Sequence, residues 1–174
     1  RGAVEASLTR LADAKALVLD LRGNPGGNFN MAIGLLGWLL AKPGSVGQIV
    51  TRNNEPLTAL YGLIDVTPKM EVKLAAKRIT VPLAVLVDEG SASASELTAG
   101  VLQDQGRGRV FGSPSCGCLL GVRSSGEDLP GGGRLLFSQF DMQIGQRPRV
   151  EGVGVIPDVP VQPSTIVAIV TTRR

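Results

Sequence analysis

The chain has 174 residues, 43% of them apolar and 19% charged, with a formal net charge of +3. This balance predicts one folded domain with a single core and excludes a disordered chain. Aromatic residues make up 3% and the basic residues are scattered, so neither the stacking platform nor the basic groove of a nucleic-acid binder is expected.

There is no histidine, which removes a Ser-His-Asp triad and a histidine-ligated metal from the chain's own chemistry. The two cysteines, Cys116 and Cys118, form Cys-Gly-Cys. That spacing would strain a mutual disulfide, and two sulfurs alone do not close a zinc site. No metal or other cofactor is expected. The longest apolar run, Met31 to Ala41, falls short of the roughly 20 residues that a membrane-spanning helix needs. The chain opens at Arg1 without a methionine and reads as a fragment or a processed form.

In chain order, Ala16-Leu-Val-Leu-Asp-Leu21 reads as a strand buried on both faces, as in a parallel sheet. A loop from Arg22 to Gly27 follows. Asn28 or Asn30 then caps a helix that runs to about Ala41 and stops at Pro43 and Gly44. Gly47 to Arg52 is a candidate strand. The pattern from Asn53 to Arg78 is ambiguous, and its basic part, Lys69 to Arg78, is expected as a surface helix or lid. Val81 to Val87 is the second strong strand, and a helix follows from about Ser93 to Gln105. Arg109 to Gly112 is a third strand, entering the Ser-Pro-Ser-Cys-Gly-Cys loop. Beyond Leu119, Gly131-Gly-Gly133 separates apolar stretches, Leu135 to Phe140 contains a strand, and Arg147-Pro148 falls in a turn. The whole predicts an α/β fold with right-handed crossovers and a small C-terminal antiparallel addition.

Two glycine-rich strand-to-helix junctions are candidates for a site: Asp20-Leu-Arg-Gly-Asn-Pro-Gly-Gly27 and Asp88-Glu-Gly-Ser-Ala-Ser-Ala-Ser-Glu96. Ligands bind at such junctions in open α/β sheets. A serine at a helix start has unpaired N–H groups and the helix dipole beside it, both favourable to the anion of an acyl-transfer intermediate. Glycines of the first junction could offer a second N–H from across the cleft. Taken alone, Ser93-Ala-Ser-Glu96 is also a capping box that needs no chemistry to explain it, and the first loop is also a tight turn. Neither junction ends in the Gly-Lys-Ser/Thr of a phosphate loop.

In order, these pieces resemble the carboxyl-terminal processing (tail-specific) serine peptidases. The matching segments are Leu19 to Gly27, Val85 to Glu96, Gln103-Asp-Gln-Gly-Arg107 and the closing Glu151-Gly-x-Gly-Val-x-Pro-Asp158. The resemblance implies a Clp-protease/crotonase-like spiral of β-β-α units. It also implies Ser93 as nucleophile and the N–H groups of Gly27 and Ala94 as the oxyanion hole. It implies a polypeptide substrate, held by its C-terminal segment, and a PDZ domain outside this chain. An extracytoplasmic bacterial location, such as the periplasm, comes with the family, and an oligomer is compatible with it.

The departure lies in the base. The family's lysine, twenty-five positions beyond the nucleophile, falls on Cys118. A desolvated lysine can take the serine proton near neutral pH, whereas a thiolate is the weaker acceptor. Lys69, Lys73 and Lys77 fit a solvated face better than a base. A second branch, resembling the tricorn-type peptidases, draws a histidine from upstream of the core. Asp104 lies eleven residues from Ser93, about 16 Å along a helix, and is too far to act on it. Three functions stand: a serine endopeptidase with its base elsewhere, a pseudo-peptidase serving as a peptide-binding scaffold, and a crotonase-like acyl-CoA enzyme.

Overall fold

The computed structural model describes residues 2–11, 14–51, 59–60, 64–65, 69–122 and 127–162. It opens with α1 (Gly2–Leu11), which is not among the expected elements, then β1 (Leu17–Asp20), α2 (Phe29–Leu39) and β2 (Gly44–Val50). Next come the two-residue strands β3 (Ala59–Leu60) and β4 (Ile64–Asp65), then β5 (Lys69–Val72), β6 (Leu83–Val87), α3 (Ala94–Asp104) and β7 (Arg109–Gly112). The described residues close with β8 (Gly121–Val122), β9 (Glu127–Asp128), β10 (Arg134–Leu135), β11 (Ser138–Ile144) and β12 (Val159–Pro160).

β1, β6, β7 and β12 form a parallel sheet in that order. β6 is central and nearly continuous in its burial, as a run of Leu, Ala and Val predicts. β1 differs from the expectation of burial on both faces. It is the edge strand, and its exposure alternates, with Val18 46% exposed. An unbroken apolar run does not reveal which strand will lie at an edge.

The antiparallel sheet runs β5-β2-β11-β8. The C-terminal strand β11 is therefore an inner member of a sheet that also takes β2 and β5 from the first half of the chain. Residues 69–72 are strand, not the expected surface helix or lid. Met70 and Val72 are buried while Lys69 and Glu71 are exposed, a period of two set by pairing with β2. The turn expected at Arg147-Pro148 sits just before it, at Gly145-Gln146.

α3 is buried on every side from Ser95 to Leu102 and packs against α2 and β11. A Cβ on Gly100 would meet Ile144 Cδ1 at 2.7 Å, so the small residue sets how closely β11 approaches α3. Arg107 follows α3 and joins three segments. Its Nε donates to Leu39 O at 2.6 Å, and one terminal nitrogen donates to Ile79 O and Val81 O, each at 2.8 Å. Two motifs far apart in sequence meet here. Gln103 Nε2 donates to Asp158 Oδ1 at 2.6 Å, and Asp158 Oδ2 accepts from Val110 N–H at 2.7 Å.

Candidate active site

β1 and β6 are parallel neighbours with Asp20 opposite Leu86, so both glycine-rich junctions leave the sheet at the same end. They are then stitched together. Gly23 N–H donates to Asp88 Oδ1 at 2.8 Å, Ala92 N–H to Asn24 O at 3.0 Å, and Ser91 Oγ–H to Leu21 O at 2.7 Å. Asn24 Oδ1 accepts from Gly26 N–H at 2.9 Å, which turns the first loop toward the second. At its base, Arg22 grips Asp20 through Nε and a terminal nitrogen at 2.9 and 2.6 Å. The Arg22 guanidinium holds the Asp20 carboxyl below its ordinary pKa.

Ser93 sits on the turn from β6 into α3 with φ 54° and ψ −117°. Among the described residues it is the one non-glycine with positive φ. Such a backbone costs about 1–3 kcal/mol and persists only where its surroundings enforce it. The same sharp strand-to-helix turn lifts nucleophilic serines clear of α/β-hydrolase sheets. The three serines of the motif have separate roles. Ser91 and Ser95 are buried, and Ser91 spans the two loops. Ser93 lines a cavity of about 520 Å³ together with Gly27 and Ala94.

Within the described residues, neither Gly27 N–H nor Ala94 N–H donates a hydrogen bond. Ala94 opens α3, so its N–H is one of the helix's orphan donors. Gly27 lies in the loop before Asn28, whose side chain caps α2 by accepting from Asn30 N–H and Met31 N–H. Two unused donors and a strained serine thus share one cavity. Its walls are mostly apolar, with Leu97 from α3, Leu120, and Ile49, Phe140 and Met142 from the antiparallel sheet, and carry Asn28 and Asn30 beside Gly27.

Cys118 adjoins Ser93 through its backbone, with its carbonyl accepting Ser93 N–H at 3.1 Å. Its side chain is exposed and bonded to Cys116 in a disulfide. Gly117, at φ +73°, bends the chain so that the flanking Cα atoms are 5.3 Å apart, within disulfide range. A sulfur so bonded accepts no proton, so in this state Cys118 offers no base.

Four successive N–H groups in this loop end on two carboxylates. Those of Gly117 and Cys118 donate to Glu96 at 2.6 and 2.9 Å, and those of Leu119 and Leu120 to Glu151 at 2.6 and 3.1 Å. Glu96 returns to Ser93 N–H at 2.9 Å, the half of the capping box that its sequence position predicts. Its bonds to the loop have no local signature in the sequence.

Of the lysines, Lys69 is exposed on β5. Lys73 borders a second cavity of about 540 Å³ that also touches Gly26, Gly27 and Ala94. Lys77 Nζ donates to Thr9 O at 3.5 Å. Asp104 ends α3, at the far end from Ser93, and accepts from Gln105 Nε2 at 3.0 Å.

The sequence matches peptidase family S41 over residues 1–161. It is 34% identical over 150 residues to a "Carboxy-terminal-processing protease" of Bartonella bacilliformis, covering 85% of this chain and 31% of that protein. It is 28% identical to a "Probable CtpA-like serine protease" of Staphylococcus aureus, covering 83% of this chain and 27% of the relative. The solved photosystem II D1 C-terminal processing protease superposes with a TM-score of 0.71 at 27% identity, covering 94% of this chain and 39% of that one. The chain thus spans about a third of the length of these relatives. With a family model that covers nearly all of its length, the chain belongs to peptidase family S41.

Proposed function

We propose that this chain carries the nucleophile and oxyanion site of a serine endopeptidase that cleaves polypeptides near their C-terminus. The observation that carries this reading is the strained backbone of Ser93 beside the unused N–H groups of Gly27 and Ala94. Ser93 Oγ attacks the scissile carbonyl carbon while its proton passes to a base. The oxyanion lies between the two N–H groups, where each such donor is worth about 10²–10³ in rate. Collapse expels the amine and leaves the acyl group on Ser93 for water to hydrolyse.

With no histidine in the chain and Cys118 in a disulfide, we assign the base to a part of the protein outside these residues or to another subunit. The same two observations favour a second reading, a peptide-binding pseudo-peptidase. We also propose an extracytoplasmic location, which the disulfide supports because such bonds persist in oxidising compartments. No helix among the described residues is long and apolar enough to cross a membrane.

Labelling with a fluorophosphonate, with the attachment site found by mass spectrometry, tests the reading. Attachment at Ser93 in the parent shows that a base is available. Attachment only in Cys118→Lys supports an oxyanion site that lacks its base and favours the pseudo-peptidase for this chain. Attachment that survives Ser93→Ala, or none in either protein, overturns the assignment of Ser93.

A further inference from the structure

Glu96 has no exposed surface, yet no cation is bonded to it among the described residues. A carboxylate buried this way is tolerated only when its oxygens are fully hydrogen-bonded. Here both are. Oε1 accepts Ser115 Oγ–H at 2.7 Å and Gly117 N–H at 2.6 Å. Oε2 accepts Ser93 N–H and Cys118 N–H, each at 2.9 Å. Four neutral donors fill the acceptor sites of one carboxylate.

A helix cap requires only the bond to Ser93. The other three donors lie 19 to 22 residues downstream, on the loop whose Cys118 carbonyl also accepts Ser93 N–H. That loop is held in turn by the C-terminal motif. Val155 N–H donates to Ser115 Oγ at 2.7 Å, and Gly152 N–H donates to Gly117 O at 2.8 Å.

We propose that Glu96 is a positioning residue: its carboxylate locks the strained Ser93 turn to the 115–118 loop and fixes the direction of the serine. The proposal rests on the reading of Ser93 as nucleophile, and its two parts are tested separately. Glutamine at position 96 has nearly the same size but presents an NH₂ where an acceptor is needed, so it must leave the N–H of either Gly117 or Cys118 without its acceptor.

The first readout needs no catalysis. Amide hydrogen exchange at Ser93, Gly117 and Cys118 is compared between the parent chain and Glu96→Gln. The expected result is exchange about 100-fold faster at the loop amides, with the slow-exchanging amides of β6 and α3 beyond residue 97 little changed. Unchanged protection of Gly117 and Cys118 in a folded Glu96→Gln protein overturns the proposal. If Glu96→Gln does not fold, Ser115→Ala replaces it, since this removes one donor to Glu96 together with the acceptor of Val155 N–H. About tenfold faster exchange at Gly117 is then expected, and no change overturns the proposal.

The second readout is the rate of fluorophosphonate labelling at Ser93 against pH, in the parent or in the Cys118→Lys background. Glu96→Gln should lower the plateau at least about tenfold at a temperature where the variant remains folded, although its melting temperature falls by several degrees. Labelling at the parental rate by a variant with altered exchange would leave Glu96 a purely structural clamp and overturn its positioning role. Failure of the parent backgrounds to label speaks against Ser93 as nucleophile and leaves the exchange result to decide the clamp.

Discussion

A methyl group placed on Gly26 would lie 2.9 Å from Ser93 Cβ and 2.7 Å from Ala94 N. Gly26 also has φ +87°, a conformation that side chains rarely adopt. The first loop therefore reaches the Ser93 turn only as bare backbone. Gly26→Ala is expected to lose about 2–4 kcal/mol of stability and essentially all labelling of Ser93. Gly23→Ala serves as the control. It carries the same positive-φ penalty at φ +64°, but an added Cβ there meets nothing within 4 Å. It should cost about 1 kcal/mol and retain labelling. Denaturant unfolding and labelling of both variants check this.

Arg107 comes from the Gln-Asp-x-Gly-Arg motif, yet its three carbonyl partners belong to the packing of α2 and of the chain entering β6. Arg107→Ala should destabilise by about 2–4 kcal/mol, because three half-buried carbonyls lose charge-assisted donors. Labelling per folded molecule should stay within about twofold of the parent, as expected for a residue remote from the cleft. Urea denaturation combined with labelling separates the two effects.

Reduction of the Cys116–Cys118 disulfide opens a loop of only three residues. Loop-closure entropy then assigns the bond about 1.5 kcal/mol, or about 3–6 °C in melting temperature. The loop is also held by Glu96 and Glu151, so the chain should stay folded when reduced. Thermal melts with and without a dithiol reductant, and a Cys116→Ser/Cys118→Ser double variant, measure this.

Asp20 has a pKa lowered chiefly by its hydrogen bonds to the Arg22 side chain. A carboxyl with a depressed folded-state pKa contributes stability above its unfolded value, near 3.9, and loses it as pH falls through the folded value. Asp20 is 47% exposed, so solvent screening limits the pair to about 0.5 kcal/mol. Asp20→Asn should therefore be less stable than the parent by that amount at pH 7, with the gap closing below about pH 4. Paired urea titrations at pH 7 and pH 3 test the sign.

The parallel core was legible because its signals are local. The strand, glycine loop and helix start of each junction lie within a dozen residues, and Asn28, Ser93 and Glu96 stand where capping rules put them. The antiparallel sheet was harder to read. β2 pairs with β11 roughly ninety residues away, with Gln48 opposite Gln143, and no local pattern encodes that partnership. β5 offers only Met70 and Val72 as an alternating pair among charged residues, too short a period to separate strand from surface helix. Burial of Glu96 depends on donors from 115–118, and the disulfide depends on the bend at Gly117. Both arise from tertiary placement rather than from spacing.

In the proposed site, Gly27 N–H and Ala94 N–H receive the oxyanion formed at Ser93. The most direct measurement is the amide NMR spectrum of the protein phosphonylated at Ser93, prepared from whichever of the parent or Cys118→Lys takes the label. The Gly27 and Ala94 amide protons are expected to move downfield and exchange more slowly in the adduct, while that of Gly26, already bonded to Asn24, does not. An adduct on Ser93 that leaves both amides unchanged would contradict it.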